Sequence, residues 1–364
     1  MKNHRISYAS GAAALAFLLP QIAAADPTFE FYGQINFGIF SVDDGEETET
    51  FLADNDNSNT RFGLRYVNEL SNGATLRFNF ETAVGFEGSS SATITNNDSD
   101  WDPSRTDLRK LEIAYETPSY GTFYAGQGSM STDGIAESDF SGTGVIAYSG
   151  FTDLAGSFSF RQADGSLSDV TIGSAFGAFD GARRLRVRYD TPSFNGFTGS
   201  ISYGEEELNR DDDREFTDVA LRYKEDVGDL NLNGGIGYQW IDDDGADEEV
   251  IVGSFAMLHV PSGVSFLLAS GDRDEGGESY YFAKLGYQQD WFSIGTTALS
   301  IDYFDGSDYG SDGSDSESWG IAAVQFVDAY SLELFATYRT HEFNARGSSF
   351  DDIDVFALGA RWKF

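Results

Sequence analysis

Phe356-Ala357-Leu358-Gly359-Ala360-Arg361-Trp362-Lys363-Phe364 alternates between two kinds of side chain. Phe356, Leu358, Ala360, Trp362 and Phe364 share one parity, while Ala357, Gly359, Arg361 and Lys363 share the other. A strict period of two, apolar on one side and polar on the other, marks a β-strand between two different environments. The pattern recurs upstream. Leu230, Leu232, Ile236, Tyr238 and Trp240 alternate with Asn231, Asn233, Gly237 and Gln239. Leu76, Phe78 and Phe80 alternate with Arg77, Asn79 and Glu81, and Leu185, Val187 and Tyr189 with Arg184, Arg186 and Arg188.

Alternation alone fits a soluble sandwich or a membrane barrel. Strand length and joint asymmetry separate them. The alternating runs are about ten to thirteen residues long, matching the 9 to 11 that cross a bilayer at a tilt. Joints alternate between short turns, such as Asn72-Gly73 and Pro261-Ser262-Gly263, and long acidic loops at 43–56, 205–215, 242–249 and 305–317. Short turns at one rim and long polar loops at the other define a bacterial outer-membrane barrel. Sixteen strands are expected, and a barrel of that size leaves an aqueous channel.

Composition narrows the function. The 364 residues contain no cysteine, which excludes disulfides, thiolate metal sites and thiol nucleophiles, and only three histidines. A net charge of -37 argues against a nucleic-acid partner. No nucleophile elbow, dinucleotide fingerprint or phosphate-binding loop appears, so no enzymatic activity is expected. Lys2 and Arg5, the apolar run Gly11 to Leu19 and Ala23-Ala24-Ala25 read as a signal peptide over residues 1–25. Residues 26–364 then form one transmembrane domain.

Several segments resemble general bacterial porins of the sixteen-stranded, trimeric, alphaproteobacterial type. Phe31-Tyr32-Gly33-Gln34-Ile35-Asn36 is similar to their first strand and Asn59-Thr60-Arg61-Phe62-Gly63-Leu64-Arg65 to their second. Tyr120-Gly121-Thr122-Phe123-Tyr124-Ala125-Gly126-Gln127-Gly128 resembles the strand entering their constriction loop, and Arg188-Tyr189-Asp190-Thr191-Pro192-Ser193-Phe194-Asn195-Gly196-Phe197 the following hairpin. The resemblance implies a homotrimer in the outer membrane, passing small hydrophilic solutes and ions without a cofactor. It also implies Phe364 as a C-terminal assembly signal for the barrel-assembly machinery, and contact with lipid and lipopolysaccharide.

It further implies that the long, Gly-rich segment 128–182 is a third loop folded into the lumen. Its acids Asp133, Glu137 and Asp139 are then expected to face a basic wall of Arg61, Arg65, Lys110, Arg184, Arg186 and Arg188. Three arginines on a lipid face would cost roughly 2 to 4 kcal/mol each near the midplane, so Arg184, Arg186 and Arg188 must face water. The parity around Lys110 is ambiguous, because Arg109 shares the apolar parity of Leu111 and Ile113. Asp54 and Asp56 are weak candidates for loop-bound Ca2+ or Mg2+; they lack the Gly and distal Glu of a calcium loop. Acidic loop runs such as Asp211-Asp212-Asp213 and Asp242-Asp243-Asp244 predict modest cation preference at low salt. An anion-favouring, substrate-selective porin and a secreted β-protein binding carbohydrate or calcium are the alternatives.

Overall fold

The computed structural model describes residues 26–96, 99–243, 247–274 and 276–364. The expected signal peptide, with Ala23-Ala24-Ala25, and Asp244 lie outside them. No helix among the described residues is long and apolar enough to cross a membrane.

Sixteen antiparallel strands close on themselves. In chain order they are Thr28–Asp43, Arg61–Glu69, Thr75–Ala83, Leu108–Thr117, Gly121–Ser129, Arg183–Asp190, Phe197–Glu205 and Glu215–Val227. The second half comprises Leu230–Asp242, Glu248–His259, Val264–Arg273, Ser279–Phe292, Gly295–Ser307, Asp315–Val327, Leu332–Ala345 and Ile353–Lys363. Each pairs with its sequence neighbour, and the first pairs with the last over Gln34↔Lys363 to Asp43↔Asp354. Closure removes the sheet edges that would otherwise carry unpaired backbone groups.

The period of two sets the two faces. Leu185 and Val187 are 46% and 58% exposed, while Arg186 between them is 4% exposed. Ile35, Ile39, Leu221, Ile236, Leu268, Ile301 and Leu358 are likewise exposed on the outer parity. An apolar face this exposed is one that meets lipid. Trp240, Tyr303 and Trp362 lie on the same outer surface, where interfacial rings belong.

The acidic stretch 43–56 is not all loop, as the sequence led us to expect. Thr48–Asp54 is a further strand pairing with the upper half of the first one, Phe37↔Asp54 to Asp43↔Thr48. The short turns behave as read. Gly263 has φ +69°, and a Cβ there would lie 2.0 Å from the Gln288 carbonyl, so only glycine fits.

Phe364 closes the seam. Its N–H donates to Gly33 O at 3.0 Å and its carbonyl accepts from Gly33 N at 2.9 Å. Its ring sits 5.8 Å from Phe31. Deleting Phe364 removes both bonds and the ring contact where the first and last strands meet. The fraction of heat-modifiable, folded barrel recovered from membranes should fall sharply; recovery equal to the parent would contradict this.

A basic wall, a docked loop and the candidate passage

Consecutive stretches of segment 128–182 bond successive wall strands. Ser131 N donates to Ser202 Oγ on the seventh strand at 2.7 Å, and Thr132 N to Asp218 on the eighth at 3.2 Å. Ser254, on the tenth, donates to Ile135 O. Lys284, on the twelfth, donates to Asp139 Oδ2 at 2.8 Å and to Ala147 O. Thr143 and Ser300, on the thirteenth, share a 2.8 Å hydroxyl contact. Every one of these wall residues sits on the parity opposite the exposed apolar side chains.

Beyond residue 145 the segment packs by apolar contact. Phe151 lies 4.5 Å from Phe304 and Phe160 5.6 Å from Phe343, ring to ring. Phe151, Phe158, Phe160 and Phe176 are all essentially buried. Each buried ring contributes about 1.5 to 3 kcal/mol of apolar transfer. The segment is therefore a docked substructure. It carries its own hairpin, Ser159–Arg161 with Leu167–Thr171, and a helical turn at Ile172–Ala175. The wall opposite these rings is apolar too: Phe40, Val42, Ile353 and Val355 are fully buried on the inner parity.

The other half of the interior is polar. A cavity of about 420 Å³ is lined by Arg61, Arg65, Arg109, Lys110, Arg183 and Lys363, with Glu81 the one carboxylate side chain. Glu81 accepts from Arg109 Nε at 2.8 Å and from Tyr32, and Arg61 lies 3.8 Å away. Arg109 reaches this side because the ladder slips there. Glu81 pairs with Lys110 and Thr82 with Leu108, leaving Arg109 as the extra residue of a bulge. That slip puts both Arg109 and Lys110 in the cavity.

The expected residues thus divide. Arg61, Arg65 and Lys110 come together, joined by Arg109, Arg183 and Lys363, which sequence reasoning did not select. Asp133 lies 3.7 Å from Arg183. Arg186 is on the inner parity but covered: it pairs with Glu112 and donates to Ser129 O and Gly126 O. Arg188 forms two bonds with Asp190, at 2.7 and 3.0 Å. Arg184 lines a separate cavity. Asp139 is held by Lys284, far around the wall from the basic cluster. Asp54 accepts from Thr60 N and Oγ1, and Asp56 from Ser90, so the candidate cation ligands hold loop backbone. Among the described residues no group of three or more acidic or histidine side chains is arranged to hold a metal ion.

The loop acids are electrostatically unusual. Burial first, then the Asp133 charge, pushes Glu137 up to about 7. Burial and then Glu137 push Asp180 up to about 8, although Asp180 accepts from Gly134 N and Ala136 N at 2.7 Å each. Ordinary carboxylates titrate near 4. A carboxyl group raised in the folded state stabilises that state below its ordinary range, and the stabilisation is lost as pH rises through the raised value. Between about pH 4 and about pH 8 the docking of residues 133–137 should weaken. Open-channel current noise should rise over that window; noise flat across it would contradict the assignment.

A closed sixteen-stranded barrel with a lipid-compatible exterior and a charged interior defines an outer-membrane channel. The Gram-negative porin family model matches residues 11–346, and the chain belongs to that family. It is an outer-membrane channel for passive diffusion of solutes. None of the curated proteins matches the sequence. Among solved structures the chain is similar to an anion-selective porin from Comamonas acidovorans, at 16% identity, covering 93% of this chain and 100% of that one, TM-score 0.60. It is also similar to OmpT of Vibrio cholerae in its in-vitro folded trimer form, at 14% identity, 93% and 99% coverage and TM-score 0.55. OprB of Pseudomonas putida shares 8% identity over 92% and 94% of the two chains, with TM-score 0.64.

Proposed function

We propose that segment 128–182 lies inside the barrel and narrows it, and that solutes pass between it and the basic wall. The observation that carries this reading is the lining of the polar cavity, six cationic side chains against one carboxylate side chain. Small hydrophilic solutes exchange hydration water for these side chains, whereas apolar solutes gain nothing there. Transport requires no catalytic step.

The same lining favours anions at the aperture. Burial and the neighbouring Asp133 charge hold Glu137 above the usual carboxylate range, which weakens its opposition to the basic wall. The acidic outer loops concentrate cations at the mouth, as the sequence led us to expect. That field is screened over about 10 Å at 0.1 M salt, whereas a narrow, partly dehydrated aperture is screened less. The aperture therefore sets selectivity. Reversal potentials in asymmetric KCl should show anion preference at 0.1 M and above. Cation preference at those concentrations would overturn the anion reading and return selectivity to the acidic loops.

We assign two further copies of the chain as partners, as in the trimeric Vibrio structure, with outer-membrane lipid and lipopolysaccharide around the assembly. Phe364 serves as the signal read by the barrel-assembly machinery.

A further inference from the structure

A second cavity, of about 160 Å³, opens among residues at the long-loop ends of the strands. Its floor is the buried apolar cluster Met130, Phe216 and Ile241. Its rim carries three arginines, Arg184, Arg214 and Arg273, with the carboxyl groups of Asp180 and Glu248 and the amide of Gln239 set among them. The guanidinium carbon of Arg184 lies 4.3 Å from the Phe216 ring centre, and that of Arg273 4.9 Å from Phe179. Stacking of this kind holds a guanidinium plane in place while leaving its edge open.

Each arginine has an internal carboxylate: Glu206 for Arg184, Asp212 for Arg214 and Glu248 for Arg273. These pairs do not exhaust the donors, because a guanidinium offers five N–H groups in a fixed fork. The Arg184 Nε is buried and has no hydrogen-bond partner among the described residues. Arg214 gives Nε and Nη2 to Asp212, and its Nη1 has no hydrogen-bond partner among the described residues. The cavity thus offers directed N–H donors above an apolar floor. At about 160 Å³ it is well below the 300 to 1,000 Å³ of sites for drug-sized ligands.

We propose that this cavity binds small organic carboxylates with a compact apolar body, of benzoate size or less. The carboxylate takes the open guanidinium edges and the apolar body rests on Met130, Phe216 and Ile241. Arg183 and Arg184 are neighbours in the chain, yet Arg183 lines the larger basic cavity and Arg184 this one. A carboxylate released here meets the basic wall next. The proposal rests on the channel reading above and adds a solute class and a place to it.

The test is a planar-bilayer recording of the full-length folded protein in KCl, with sodium benzoate, sodium acetate or benzylammonium chloride added from the long-loop side. Acetate has the charge without the body, and benzylammonium the body with the opposite charge. Benzoate should produce current blockade at concentrations about tenfold or more below acetate, with benzylammonium ineffective. In the double variant Arg214→Gln, Arg273→Gln the benzoate advantage over acetate should shrink toward one. Equal effects of benzoate and acetate on the unaltered protein would overturn the proposal, and that comparison needs no variant to fold. Failure to form any KCl-conducting channel would instead sink the channel reading itself.

Discussion

Replacing Arg186 with methionine should destabilise the folded barrel by about 3 to 5 kcal/mol, the cost of leaving one member of a buried ion pair alone. Arg186 and Glu112 are 4% and 6% exposed, and Asn79 Nδ2 supports Glu112 with a 2.8 Å bond. Without the guanidinium, Glu112 remains buried with one neutral donor. The folded-to-unfolded shift on heating in detergent should move to clearly lower temperature. Conductance should change little, because Arg186 does not border the open cavity. The double variant Arg186→Met, Glu112→Leu should recover most of the loss, since no charge is then stranded. A destabilised double variant no better than the single one would show that the pair is not what matters. Read from parity alone, Arg186 looks like an aperture residue whose loss widens the channel; its pairing with Glu112 makes it a structural residue instead.

The second large effect belongs to Arg109 and Arg183. Both line the polar cavity, and Arg183 faces Asp133. Changing both to glutamine removes two of the six cationic side chains, frees Asp133 from Arg183 and leaves Glu81 with Arg61 and Tyr32 alone. Reversal potentials should swing toward cations, and solutes near the size limit should enter faster. Glu137→Gln should move selectivity the other way. A pair of variants with parental reversal potentials would place the passage elsewhere.

The barrel was legible in the sequence because the bilayer imposes a hard rule. Every lipid-facing residue must be apolar, so alternation survives along sixteen strands and ends in Phe364. Where a docked loop shields the inner wall from water, the rule relaxes. Phe40, Val42, Ile353 and Val355 are apolar and fully buried on the water parity, in one cluster with Phe151, Phe158, Phe160 and Phe176. Arg361 and Lys363 were also readable, sitting on the polar parity of the final strand; both pair with Glu333. Arg109 was not readable, since a one-residue slip of register inverts a side chain's face and no residue type marks the slip. Nor could the sequence separate Arg184, Arg186 and Arg188. They share a parity, but their partners Glu206, Glu112 and Asp190 are fixed by loop geometry and by the register with neighbouring strands.

A passage bounded by segment 128–182 requires residues 131–143 to lie against the interior wall. Thr143 and Ser300 approach to 2.8 Å between hydroxyl oxygens, 157 positions apart in the chain. The protein has no cysteine, so Thr143→Cys with Ser300→Cys introduces one unambiguous pair. Oxidation of the folded barrel in membranes should join the two rapidly and completely, as a mobility shift reversed by reductant, with channels still conducting. Two free thiols after oxidation, in a barrel that folds and conducts, would contradict the docked loop and the passage built upon it.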